Sequence, residues 1–168
     1  SANKNPVAYL DYAQSQSLSK SHYLQGSLNA DFQPIKNLHV KSQFGYIMSA
    51  SSYRSYVPAY GELTATLAET QDRVSQSMSM NNRWSWDNTI SYKYLKGDND
   101  MDVLLGQSIE KWGMGESIAG TNRNSSFYDF EHAYLSNVPG VANITSLTGS
   151  PNGQGRLASF FGRANYNY

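Results

Sequence analysis

Asp98, Asp100 and Asp102 stand in the stretch DNDMD at the spacing of the first three ligands of an EF-hand calcium loop. Such a loop needs glycine at its sixth position and glutamate at its twelfth. Val103 and Ile109 occupy those places, so the stretch reads as a turn. Gly115–Gly120 (GESIAG) is too long for a G-x-S-x-G nucleophile elbow and lacks a strand–turn–helix context. The GMG of Gly113–Gly115 leads into neither a phosphate-binding loop nor a dinucleotide fingerprint. His22, His39 and His132 are scattered without ligand spacing and read as surface or hydrogen-bonded side chains. No nucleophile, acid–base pair or metal cluster emerges, so the sequence predicts no enzyme, no cofactor and no bound metal.

The chain has 168 residues, one ordinary domain's worth, with formal net charge +0. A neutral balance points to no nucleic acid and no anionic surface as partner. There are no cysteines, hence no disulfide framework. No apolar run is long enough for a transmembrane helix, and no basic and apolar leader opens the chain, so any export signal would lie outside it. Mean hydropathy is −0.56. That value is compatible with a membrane β-barrel too, because alternating strands average out to polar.

The positioning elements are strands. In NNRWSWDNTISYKYLKGDND, Trp84, Trp86, Ile90, Tyr92 and Tyr94 alternate with Arg83, Ser85, Asp87, Thr89, Ser91 and Lys93. A two-residue period puts apolar groups on one strand face and polar groups on the other. The same phase extends back through Met80, Met78 and Val74. Leu24, Leu28 and Phe32 alternate likewise, as do Val40, Phe44 and Tyr46, then Val103, Leu105 and Ile109, and finally Phe160, Ala164 and Tyr166. The sequence therefore predicts an all-β chain, an antiparallel sheet of about five long strands near 22–33, 38–48, 74–94, 101–112 and 157–168. A frayed piece in NPVAYLDYA would precede them.

Connections alternate in length. Pro34–Leu38 and Lys96–Asp100 are tight turns, whereas 49–73 and 113–156 read as long loops rich in Gly, Ser, Asn and aromatic residues. Within the first of these, ELTATLAET is open between a short helix and a strand extension. Short turns at one end and long loops at the other are the pattern of outer-membrane barrels. Trp84, Trp86, Tyr92, Tyr94, Tyr166 and Tyr168 would suit the aromatic girdles of such a barrel, or the core of a soluble sheet.

NPVA near the start, YVPAYG in the first long loop, LLGQS after the second tight turn and LASFFGRANYNY at the end resemble SusC/RagA-type TonB-dependent outer-membrane transporters. The resemblance runs over most of the chain, and its last motif is the most specific. It implies a large β-barrel with an N-terminal plug in the outer membrane of a Gram-negative cell, surrounded by lipid or, once extracted, detergent. A SusD-like surface lipoprotein would cap it, TonB would act through the plug, and oligosaccharide or peptide fragments would be imported. About five strands fall well short of the roughly 22 of a plugged barrel. The resemblance thus implies one arc of a barrel, without the plug domain.

On that reading Asp31, Lys41, Arg83, Asp87 and Lys93 would face the lumen. The loop aromatics Tyr53, Tyr56, Tyr60, Trp112, Phe127, Tyr128, Phe130 and Tyr134 would be ligand-contact candidates, stacking on sugars or peptide side chains. Packing among the loops themselves is the competing account of each ring. The rival for the whole chain is a soluble β-sandwich of the carbohydrate-binding kind, which would bury its apolar faces between two sheets.

Overall fold

The computed structural model describes residues 7, 10, 14–64, 67–140 and 143–168, with the side chains of 61–69 left aside. Among the described residues nine strands follow one another: β1 (Gln16–Ile35), β2 (Leu38–Val57), β3 (Tyr60–Thr64), β4 (Leu67–Glu69), β5 (Arg73–Lys96), β6 (Asn99–Met114), β7 (Glu116–Arg123), β8 (Ile144–Pro151) and β9 (Gly155–Asn167). Seven of them form one sheet in the order β1-β2-β5-β6-β9, with β7 pairing β5 and β8 pairing β7. The remaining two make a separate β3–β4 hairpin. Among the described residues there is no second large sheet, so the sandwich alternative lacks the layer it requires.

Two compact units divide the chain. The turn unit comprises Tyr23–Ser49, Asn81–Gly115 and Asn152–Tyr168. Its register shows why the alternation matters. Trp86 lies opposite Ile109, Ile90 opposite Leu105 and Tyr92 opposite Val103. Across the next ladder Ile109 meets Ala158, Leu105 meets Gly162 and Val103 meets Ala164. Directly opposed residues share a face, so one apolar face runs over β5, β6 and β9. Phe44 stacks on Trp84, and Trp86 Nε1 donates to Ser42 Oγ at 2.9 Å, which puts the even positions of β2 on that face. Leu24, Leu28, Phe44 and Tyr46 line one hollow there. Among the described residues nothing covers this face: Leu28 is 75% exposed, Phe32 65%, Leu105 60% and Phe160 80%.

Both tight turns belong to this unit. Asn37 and Gly97 adopt left-handed φ of 67° and 59°. Asn and Gly are the residues that enter this region most readily. The backbone N of Lys93 bonds Asn37 O at 3.0 Å, so the first turn sits beside the end of β5 that enters the second. The two tight turns therefore lie at the same end of the unit.

The loop unit comprises Ser1–His22, Ala50–Met80 and Glu116–Pro151. Here β7 runs antiparallel to β5, with Val74 opposite Asn122 and Met78 opposite Ile118, and β8 pairs outside it. A small core of Tyr56, Val74 and Ala133 forms where residues 124–140 fold onto these strands, with Phe130 packed against it.

β1, β2, β5 and β6 outrun their expected limits, β9 begins and ends earlier than expected, and the expected loops 49–73 and 113–156 contain the end of β2, the β3–β4 hairpin, β7 and β8. The cause is composition. ESIAGTNR and ITSLTGSP, the segments of β7 and β8, are rich in Ser, Thr, Gly and Asn, which signal turns in isolation. Their backbone pairing with β5 and with each other overrides that weak local preference. ELTATLAET resolves as hairpin, the strand alternative. NPVAYLDYA lies almost wholly outside the described residues.

Gly113, beside a register shift in the β5–β6 ladder, has φ 71°, and a Cβ there would collide with the carbonyl of Gly153. Gly97 shares the left-handed φ but faces open space. Gly97→Ala should therefore cost about 1 kcal/mol, the left-handed penalty alone. Gly113→Ala should cost clearly more, about 2 kcal/mol or above, because backbone must also move. Urea unfolding of the two variants in detergent micelles measures the difference.

Candidate functional site

Opposite the apolar face, the turn unit carries a charged one. Ser85, Asp87 and Lys93 on β5 oppose Glu110, Ser108 and Asp102 on β6. Arg83 pairs with Glu110, Lys93 with Asp100 at 3.4 Å, and Arg163 on β9 with Asp102 at 3.6 Å. Each pair joins diagonal rather than directly opposed positions, a reach that long side chains make easily. Ser108 donates to Asp87. On β1 and β2, Asp31 accepts from His39 at 3.3 Å and lies 3.4 Å from Lys41 Nζ. These pairs are solvent-accessible, so each contributes little to stability. Their main effect is to keep a face dense in charge but locally balanced. Asp31, Lys41, Arg83, Asp87 and Lys93 are thereby brought to one side of the unit. Asp100 and Asp102, spaced like calcium ligands, are instead separate ion-pair partners on a strand. Among the described residues no group of three or more metal-ligating side chains converges.

Two rings on this charged face lie flat over glycines of the neighbouring strand. Phe161 opposes Gly106 and covers it, and Trp112 opposes Gly155 and covers that. Trp112, expected in a loop, is thus a strand residue resting on its neighbour.

The loop unit contributes a different construction. Residues 124–140 leave β7 through Asn124, whose φ is 57°, and Asn124 Nδ2 donates at 2.9 Å to Oδ1 of Asn143, just before β8. Arg54 on β2 anchors the middle. Its guanidinium sits 4.4 Å from the Phe130 ring centre and 4.2 Å from that of Tyr134. The same group donates to the carbonyls of Phe130 at 3.0 Å and Glu131 at 3.1 Å. The buried Asp72 carboxylate accepts from Ser125 N at 2.9 Å. Asn122 Nδ2 donates to Leu135 O at 2.9 Å, and Gln76 Oε1 accepts from Leu135 N at 2.8 Å. A long connection can hold one shape only when its polar backbone groups find partners, and strand side chains supply them here.

The aromatic candidates are consequently dispersed. Tyr56 is on β2 and only 4% exposed, a core ring rather than a loop ring. Burial, with the charges of Asp72 and Asp129 nearby, pushes its phenol above the ordinary value. Tyr53 is also on β2, and Tyr60 opens β3. Phe127 stacks on His132, and Tyr134 on Arg54. Tyr56 and Tyr128 do share the wall of one cavity of about 760 Å³, with Arg54 and Asp129. Arg54, Asp72, Gln76 and Asn122, which organise the segment, carry no sequence signal. Each is a lone polar residue at an unremarkable strand position.

Three solved structures share this fold. The chain matches the RagAB peptide importer in its "closed-closed" state and in its "open-open" state, and a further structure of the RagAB peptide transporter. Each match has a TM-score of 0.78 at 21% identity, over 92% of this chain and 16% of that chain. The chain therefore spans about one sixth of the length of those proteins. No family model matches it, and no curated protein does.

Two variants test the loop construction. Arg54→Ala removes two cation–π contacts and charged hydrogen bonds, together about 2–4 kcal/mol. Amide exchange within 124–138 should quicken on the order of 100-fold while the β5–β6 ladder stays protected. Arg54→Lys should recover only part, because an ammonium lacks the planar fork. Asp129 accepts from the backbone N of His132 at 2.8 Å and from its ring Nδ1, and these bonds, the backbone one foremost, hold its carboxyl below the ordinary range. A depressed carboxylate stabilises the fold above its unfolded pKa and loses that effect as pH falls through the folded one. Protection of the His132 amide should therefore fall below about pH 4 and become pH-independent there in Asp129→Asn; exchange corrected for intrinsic rates reads both.

The fold over most of the chain is that of a stretch of the RagAB importer, an arc of a β-barrel, as the sequence resemblance to SusC/RagA-type transporters implies.

Proposed function

We propose that this chain is part of a TonB-dependent transporter of the outer membrane of a Gram-negative cell, and that the parent protein imports peptides. The observation that carries this reading is one sheet with two characters. An uncovered aromatic and aliphatic face backs onto a balanced, ion-paired one, in a chain whose fold over 92% of its length is that of a peptide importer. Lipid is the partner that suits the first face. In water such exposure costs roughly 25 cal/mol per Å² of apolar surface. A water-filled lumen or a plug suits the second, with Asp31, Lys41, Arg83, Asp87 and Lys93 as lumen residues. Trp84, Trp86 and Tyr92 on the outer face then suit an interfacial girdle.

Peptide is favoured over glycan as cargo because the similar structures are of peptide importers. A SusD-like lipoprotein would dock over the exposed rings Tyr128 and Phe127, and TonB would act through a plug elsewhere in the parent protein. No chemistry on the cargo is required, and the similar structures are transporters rather than enzymes.

This chain has no cysteine of its own, so each cysteine introduced into it is a unique label within the stretch. In the parent protein reconstituted into liposomes, cysteines at 87, 91 and 93 should react with a water-soluble maleimide, and those at 86, 90 and 92 should be protected. Trp84 and Trp86 fluorescence should be quenched by brominated lipid. Labelling without a two-residue period would sink the membrane assignment. Uptake of a labelled peptide mixture, but not of matched oligosaccharides, tests the cargo.

A further inference from the structure

Every residue of the turn unit is described, so each of its charges has a known place. Its acids are Asp31, Asp87, Asp98, Asp100, Asp102 and Glu110. Asp98 stands in the second tight turn. The others are held on the charged face: Asp31 by Lys41, Asp87 by Ser108, Asp100 by Lys93, Asp102 by Arg163 and Glu110 by Arg83. Two cations lie on the opposite face. Lys111 of β6 is directly opposite Trp84 of β5 on one side and Arg156 of β9 on the other. Directly opposed residues share a face, so both cations join the apolar face of Trp84, Trp86, Ile109 and Ala158. No described acid forms an ion pair with either of them, Glu116 at the start of β7 included.

Like charges in direct cross-strand opposition destabilise a sheet, and a cation on a lipid-facing surface is costly at the bilayer midplane. Both costs vanish if the pair sits at headgroup level with an anion between the two charges. Strand geometry puts it at that level. Lys111 stands twelve residues beyond Asn99, where β6 leaves the tight turn. At about 3.3 Å per residue and a tilt of about 40°, that is a height of about 30 Å, the thickness of a hydrocarbon core. Tight turns mark the periplasmic rim of such barrels, so the pair lies at the outer leaflet, level with Trp84.

We propose that Lys111 and Arg156 form a binding site for the anionic phosphate of an outer-leaflet lipid headgroup. The guanidinium fork takes two phosphate oxygens, and the ammonium completes the site as a compact point charge. The bound anion cancels the repulsion built into the ladder. Trp84 and Phe44, stacked on one another beside Lys111, suit the boundary between headgroup and acyl chain. This rests on the membrane reading and adds to it a lipid of stated chemistry.

The test offers the parent protein, in a neutral detergent, equal amounts of phosphatidic acid and phosphatidylcholine with the same acyl chains. Native mass spectrometry reads the ratio of the two lipids retained. Phosphatidic acid should be retained about tenfold over phosphatidylcholine, as two cations near a membrane surface warrant. Lys111→Gln combined with Arg156→Gln should bring that ratio down several-fold toward parity, whereas Arg156→Lys should keep most of it. Unfolding midpoints should stay unchanged or rise in the double variant, because repulsion is removed. A ratio unmoved by the double variant overturns the site while leaving the membrane reading, which the two-residue labelling period judges separately. Displacement of phosphatidic acid by millimolar inorganic phosphate would assign the pair to a free anion and overturn the lipid site too. Retention of neither lipid would count against the site and the membrane reading together.

Discussion

An extended chain alternates its side chains, and pairing locks neighbouring chains into the same alternation. Every other feature of this protein hangs on that constraint. A slip of one residue between β5 and β6 would exchange Trp86, Ile90 and Tyr92 with Ser85, Thr89 and Ser91. It would also break the diagonal ion pairs of Arg83 and Lys93. The charged and apolar faces are thus two results of a single register. The weak ion pairs contribute less through their energy than by penalising the wrong register.

The two units use this constraint differently. The turn unit leaves both faces open and stays within the sheet, its chain reversing through residues that tolerate left-handed φ. In the loop unit, strand side chains hold a connection in place: Arg54, Asp72, Gln76 and Asn122 each satisfy backbone groups of residues 125–135. Few apolar residues are buried there, so hydrogen bonding and cation–π contact do what a larger core would otherwise do.

The legibility of the sequence follows the same division. Where one face is aromatic or aliphatic, as in Trp84–Tyr94 or Phe160–Tyr166, alternation marked strand and face correctly, and Pro, Asn and Gly marked the tight turns. In β7 and β8 the few apolar residues, Ile118, Ala119, Ile144 and Leu147, fall in both phases among polar ones, so hydrophobic period carries no information and the segments read as loop. The grouping of Asp31, Lys41, Arg83, Asp87 and Lys93 followed from period alone. The placement of Tyr53, Tyr56 and Trp112 did not, because it depends on how far the strands extend. Lys111 opposite Arg156 was invisible, since it arises from pairing between β6 and β9, which are far apart in the chain.

The rings over Gly106 and Gly155 bear on the relief of the charged face. A side chain standing upright on that face projects by its full length, whereas Phe161 and Trp112, laid into the gap left by a missing Cβ, add little height. The face gains aromatic surface while staying low. A methyl group at either glycine would collide with the ring and force it to lift, with no change in charge. Two glycines with no side chain of their own therefore set how smooth this part of the face is.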